Sequence, residues 1–146
     1  MQIRLMRLED YSRVYQLWLS CKGMGLNDLD DSPEGIERYL RRNPETCFVA
    51  QEDGRIVGVI LSGHDGRRGF IHHTAVHPDY RGKGIGTALV EEAMAALDRC
   101  GIHKAALVVF ARNQAGNDFW ERRGFTSRED LVYRNRAIRE LKRIDT

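Results

Sequence analysis

The segment Val76-His77-Pro78-Asp79-Tyr80-Arg81-Gly82-Lys83-Gly84-Ile85-Gly86-Thr87 decides how the rest of the chain reads. An apolar run ends at Val76, and Pro78 has no N–H with which to continue a strand. Three glycines then alternate with other residues before an amphipathic helical pattern sets in at about Thr87 and continues to Cys100. The spacing predicts a strand, a tight loop and a helix. Glycine tolerates positive φ and has no side chain to hold a ligand off, so the N–H groups at Gly82, Gly84 and Gly86 can converge on one point. The positive end of the helix dipole lies at the same point, which suits a diphosphate.

Other phosphate-binding loops do not fit. A P-loop needs G-x-x-x-x-G-K-[ST], and Lys83 has neither the earlier glycine nor a following hydroxyl. The dinucleotide fingerprint G-x-G-x-x-G fails because Gly82, Gly84 and Gly86 are spaced two and two, with no acidic residue closing a second strand about 20 positions on. The pattern R-x-x-G-x-G, carried by Arg81, Gly84 and Gly86 after a strand ending Ala75-Val76, resembles the signature of the GNAT superfamily of acyl-CoA-dependent N-acyltransferases. The resemblance implies that the amides of Gly82, Lys83, Gly84, Ile85, Gly86 and Thr87, with Arg81, bind the coenzyme A pyrophosphate. It also implies acetyl-CoA as co-substrate.

Length and composition agree with one globular domain over residues 1–146, with 42% apolar and 30% charged residues. No apolar run approaches the roughly 18 residues of a membrane span, and no signal-peptide pattern opens the chain. Cys21, Cys47 and Cys100 are odd in number and lie outside any C-x-x-C motif, so three reduced thiols in the cytoplasm are expected. A net charge of +2, without a basic run interleaved with aromatics, gives no argument for nucleic acid.

Alternation predicts a first strand around Ile3 and Leu5, then a helix capped by Asp10 and striped by Val14, Leu17 and Trp18. A loop over residues 22–31 follows, and Ser32-Pro33 opens a second helix that Asn43-Pro44 stops. Residues 47–52 and 55–62, joined by Asp53-Gly54, read as a hairpin, and residues 70–76 as the strand feeding the glycine loop. Beyond the long helix, residues 104–110 read as a strand buried on both faces, 113–123 as a helix and 131–138 as a last strand. This order resembles the family's α/β fold, a central mixed sheet of six to seven strands flanked by four helices.

The resemblance further implies that the strand before the glycine loop splays from its parallel neighbour and receives the pantetheine arm. Backbone groups of Thr74, Ala75 and Val76 would bind the arm, and the Val76 N–H would polarise the thioester carbonyl. Asn113 matches a coenzyme-contacting asparagine and is also an N-cap candidate. The reaction expected is direct attack by an amine. At pKa near 10.4 such an amine is about 99.9% protonated at pH 7, so exposing its lone pair costs on the order of 4–5 kcal/mol. Histidine suits the proton's acceptor. One branch of the family has a catalytic histidine four residues before the terminal valine, which is His72 here. Strand alternation puts His73 on the opposite face, under a helix; two purely structural histidines are the other reading. A metal site built from His64, His72, His73 and His77 is disfavoured because adjacent strand residues diverge.

Two departures stand out. Trp120 occupies the position of a common acidic tyrosine and is expected to wall the pantetheine pocket, leaving proton return to water, to Tyr133 or to nothing. Val108 replaces a glutamate of the branch that acts on ribosomal proteins. Cys21 and Cys100 have no histidine or helix N-terminus nearby in sequence to activate them as acyl carriers. Asn27, Asp28 and Asp30 (with Asp31) lie in the loop that lines the family's acceptor cleft, and would attract a cationic small-molecule or peptide amine or remain merely solvated. Arg67 and Arg68 leave an acidic acceptor open. The sequence therefore reads as a transferase of acetyl, or another short acyl group, to a primary amine. A module that binds coenzyme A without catalysis, and a homodimer, are left open.

Overall fold

The computed structural model describes residues 1–145. Five strands, β1 (Gln2–Leu5), β2 (Phe48–Glu52), β3 (Arg55–His64), β4 (Gly69–Val76) and β5 (Ala105–Ala106), form one sheet in chain order. Neighbours are antiparallel except β4 and β5, which are parallel. Four helices, α1 (Tyr11–Leu19), α2 (Pro33–Arg42), α3 (Ile85–Arg99) and α4 (Gln114–Arg122), cover the sheet.

The two faces of the sheet build separate cores. Val14, Leu17 and Trp18 of α1 and Ile36 of α2 meet Val49, Val59, Leu61 and Ala75 on one face. Ile85, Leu89, Val90 and Ala93 of α3 meet Phe48, Ala50, Val57, Ile60 and Ile71 on the other. Helix α2 begins as its sequence requires: Pro33 takes the first position, and the Ser32 hydroxyl accepts the Gly35 N–H at 3.0 Å. The entry to α1 is held by Asp10, 1% exposed, whose carboxylate accepts Arg4 at 2.8 and 2.9 Å, Arg13 at 2.9 Å and the Arg7 N–H at 2.9 Å.

A bulge in β4 determines the site. Ala75 pairs with Val59 but His72 with Leu61, so β4 carries one residue more than β3 between these points. Ile71 and Ala75, four apart, consequently face opposite cores. His73 takes up the irregularity at φ 37°, and its carbonyl, turned out of the ladder, accepts the Trp18 Nε1–H at 3.2 Å.

The sheet is smaller than the expected six to seven strands. Of residues 104–110, only Ala105 and Ala106 pair with β4, and Val108 is 58% exposed rather than buried on both sides. Past Phe70 the bulged β4 no longer runs beside them. Residues 131–138 form no strand, since the edge they would join is the two-residue β5; Leu131, Val132, Tyr133 and Ile138 are all exposed. The chain returns at 142–145, where Asp28 N–H donates to the Lys142 carbonyl, the Lys142 N–H to the Asp28 carboxylate, and the Ile144 N–H to the Leu26 carbonyl. The Asp145 carboxylate accepts the N–H groups of Met24 and Leu26.

Candidate active site

Strand β4 runs into the glycine loop through a 3-10 turn at Pro78–Tyr80. Gly82 and Gly84 adopt φ 75° and 83°, and a Cβ added to either would meet nothing within 4 Å. Gly84 is the N-cap of α3 and offers no side chain to the helix's first amides. These amides thus have no side-chain cap, and the positive end of the helix dipole lies at the same place. Gly86 has a different role: its missing Cβ leaves room for the Phe119 ring, which such an atom would approach to 3.3 Å.

The loop's side chains make its surroundings cationic. Lys83 and Arg55 stand over the Tyr80 ring at 5.1 and 5.8 Å. Arg123 donates to the Thr87 hydroxyl and stacks on Phe119. Arg55 and Arg123 were not singled out in the sequence, where nothing local connects them to the loop. Arg81 turns back, donating to the Val76 carbonyl at 3.1 Å and lying 3.6 Å from Cys21 Sγ. The fold thus brings Arg81, 60 residues away in sequence, to Cys21. The thiol itself is buried against the Val76 carbonyl.

Between the loop and the bulge, β4 has a free edge. Its pairing with β5 ends at Phe70, leaving no strand on that side of residues 71–76. The His77 N–H donates to Val57 of β3, while the Val76 carbonyl accepts Arg81. Strand backbone alternates, so Val76 presents its polar groups away from β3, to the open side. Trp120 is half-buried between Phe119 and Phe125, at 5.1 and 5.2 Å, and packs with Val76 and Tyr80 against the α3 core. The Asn113 side chain accepts the Gly116 N–H at 2.9 Å, capping α4.

On the α1/α2 face the same strand opens on a cavity of about 470 Å³. Both histidines line it, contrary to strict alternation, because the bulge turns His73 to the side His72 already faces. His73 Nε2 lies 2.8 Å from the Asp31 carboxylate, whose other oxygen accepts the Asn27 N–H at 2.8 Å. His72 stands at the mouth, open to solvent but ringed by Tyr39, Phe70 and His73 at 5.7, 4.7 and 6.3 Å. Partial desolvation by these neighbours, then the His73 ring, hold its pKa below the usual 6.5, against the opposing charges of Asp31 and Asp30. His72 is therefore neutral near pH 7, with no hydrogen bond to its ring nitrogens among the described residues.

Asn27 and Asp30 also line the cavity, whereas Asp28 does not and is bonded to Lys142 instead. Arg67 and Arg68 lie in the turn before β4, outside the lining. Arg38, Tyr39 and Arg42 of α2 complete the wall, positions whose helical spacing was visible but whose direction was not. Tyr133 is 67% exposed on a segment outside the sheet, and no contact brings it to the cavity or to Val76. A separate hollow of about 340 Å³ lies by Asp98 and His103, at the end of α3 remote from the glycine loop. Among the described residues, no three His, Cys, Asp or Glu side chains converge to hold a metal ion, and no helix is long and apolar enough to cross a membrane.

The sequence pattern of the Acetyltransferase (GNAT) family matches residues 11–125. An acetyltransferase of Yersinia pestis (strain Pestoides F) is 33% identical over 138 residues, covering 94% of this chain and 96% of its own. The chain belongs to the GNAT acetyltransferase family. As a GNAT enzyme it is an acyltransferase that uses acetyl-CoA. The GNAT fold is also seen in the likeness to Ard1 from Thermoplasma volcanium, with TM-score 0.76 and 22% identity over 86% of this chain and 82% of that one. The PaiA N-acetyltransferase from Thermoplasma acidophilum in complex with coenzyme A aligns with TM-score 0.71 and 21% identity over 84% of this chain and 87% of that one.

Proposed function

We propose that this protein transfers the acetyl group of acetyl-CoA to a primary amine by direct attack in a ternary complex, with His72 taking the amine proton. The observation that carries this reading is the continuity of one strand. β4 joins an uncapped glycine cradle at one end to a two-histidine cavity at the other, with a free edge between them.

The amides of Gly82, Lys83, Gly84, Ile85, Gly86 and Thr87 hold the diphosphate, with Lys83, Arg55 and Arg123 supplying counter-charge. The edge at Thr74 and Val76 pairs with the amides of the pantetheine arm as a strand would, while Ala75 between them turns its polar groups to β3. The Val76 N–H then faces the thioester carbonyl and stabilises the negative charge that develops on its oxygen. Asn113 keeps its cap on α4, while its amide NH₂ is free to reach the coenzyme. Trp120 backs the arm.

In the transfer step the acceptor nitrogen attacks the thioester carbonyl carbon. A C–N bond forms, the C–S bond breaks with its electron pair going to sulfur, and the nitrogen's proton passes to His72. A thiolate of pKa about 8.5 leaves without an acid at Trp120 or Tyr133. The His73–Asp31 pair and the Trp18 bond to the His73 carbonyl fix the bulge that sets His73 beside His72 in the cavity.

The test is thiol release from acetyl-CoA across a panel of primary amines. Acceleration by an amine, with loss of that acceleration in His72→Gln, is the expected result. Tight coenzyme A binding with no acceleration by any amine would instead favour a non-catalytic binding module.

A further inference from the structure

The cavity beside His72 is divided by charge. On α2, Arg41 turns outward to Glu37 at 2.8 Å, one helical turn away. Arg38 and Arg42, also one turn apart, line the cavity, and no carboxylate among the described residues lies within ion-pair distance of either. The helix dipole accounts for a cation at Arg42 in the last turn, but not for Arg38 in the middle of the helix. Asp30 and Asp31 line the same cavity. Both oxygens of Asp31 are occupied, by His73 and the Asn27 N–H. Asp30 gives one oxygen to the Asn27 side chain at 3.1 Å and keeps the other free. Two arginines and two aspartates thus line one space of small-molecule size.

A simple cation would find two uncompensated arginines in this cavity, and a simple anion would find Asp30. We infer that the acceptor is a small amine that carries an anionic group, a carboxylate or a phosphate, on the same molecule. Its amine lies by Asp30 and His72, and its anion spans Arg38 and Arg42, whose planar forks match either oxyanion. The inference rests on the transferase reading and adds the acceptor's class to it. The reaction is unchanged: the neutral amine nitrogen gains the acetyl carbon, His72 gains the proton, and coenzyme A leaves as thiolate.

Matched acceptors test it by thiol release. 1,5-Diaminopentane, lysine amide and lysine share a chain and differ in the carboxylate; ethanolamine and phosphoethanolamine differ in the phosphate. Lysine or phosphoethanolamine should exceed its counterparts without an anionic group in kcat/KM by at least about tenfold, the effect of one charge-assisted hydrogen bond. Which series shows the gain distinguishes carboxylate from phosphate. Arg38→Gln with Arg42→Gln should erase the advantage by raising KM for the acceptors that carry an anion, with kcat retained. Arg41→Gln, on the same helix but paired outward, should leave the ratio in place. The inference is overturned if amines without an anionic group are used as well as those with one, if Arg41→Gln acts like the other two, or if only peptide amines are acetylated. If coenzyme A raises the melting temperature and no amine of any kind is acetylated, the transferase reading fails and this inference falls with it.

Discussion

Replacing Gly84 by alanine separates the cradle's binding role from its backbone strain, because α3 supplies its own control. Gly84 at the helix N-terminus and Gly101 past its C-terminus have φ 83° and 80°, and an added Cβ would meet nothing within 4 Å at either. Each Gly→Ala change forces an L-residue into the left-handed region at a cost of about 1–2 kcal/mol. For a chain of this size that lowers Tm by roughly 2–8 °C in both variants. The variants differ at the ligand. On the proposed reading the methyl group added at Gly84 projects into the space of the bound diphosphate, whereas the one added at Gly101 stands in open space at the other end of the helix. Coenzyme A at a hundred times Kd stabilises the native protein by about 2.7 kcal/mol. Loss of one or two charge-assisted amide bonds weakens affinity about a hundredfold, so at the same concentration the gain shrinks to about 0.4 kcal/mol. Thermal melts with and without coenzyme A read both quantities. Gly101→Ala should melt lower but keep the full ligand shift, and Gly84→Ala should melt lower and nearly lose it. An undiminished shift in Gly84→Ala would refute the cradle.

Other consequences concern pH, stability and the tail. With His72 held below 6.5, kcat should climb with pH through the acidic range and level off before neutrality; His72→Gln should lower it about a hundredfold and remove that limb. Asp30→Asn withdraws a charge that holds the His72 pKa up, so the limb should move to lower pH, and a move upward would contradict the assignment. Burial alone would raise the Asp10 pKa, but bonds from Arg4 and the Arg7 N–H and the charges of Arg4 and Arg13 bring it down to about 2. Its folded value lies below its unfolded one, so this contribution is present above pH 4 and is lost as pH falls toward 2. The difference corresponds to about 2 kcal/mol, which urea melts of Asp10→Asn at pH 7 should recover. Truncation after Leu141 removes the Lys142 and Asp145 bonds to the loop at 24–28, and should raise the acceptor KM while leaving coenzyme A affinity unchanged.

What the sequence made legible was local. The strand, glycine loop and helix around Val76 to Thr87, the Asp53-Gly54 hairpin and the Ser32-Pro33 helix start each follow from a few adjacent residues whose backbone preferences agree. The features that escaped depend on partners distant in sequence. Residues 104–110 look apolar enough for a long strand, but pairing needs a neighbour, and the bulged β4 runs beside them only as far as Phe70. The 131–138 segment has strand-like residues without a sheet edge to receive them. The bulge itself leaves no mark in Ile71-His72-His73-Thr74, which reads as plain alternation. Its cause is the hold of Trp18 and Asp31 on His73, from 55 and 42 residues away. Asp28 likewise lay in the right loop, but its carboxylate is engaged by a tail over a hundred residues later.

The central claim is that main-chain amides between Val76 and Thr87 grip the coenzyme. Titrating ¹⁵N-labelled protein with coenzyme A and following each backbone amide resonance tests it most directly. The account predicts the largest shifts at Gly82, Lys83, Gly84, Ile85, Gly86 and Thr87, a further set at Thr74 and Val76, and none at Gly66 in the β3–β4 turn, at the opposite end of β4 from the glycine loop. Saturation with those resonances unmoved, or with the shifts gathered around Asp98 and His103, would contradict it.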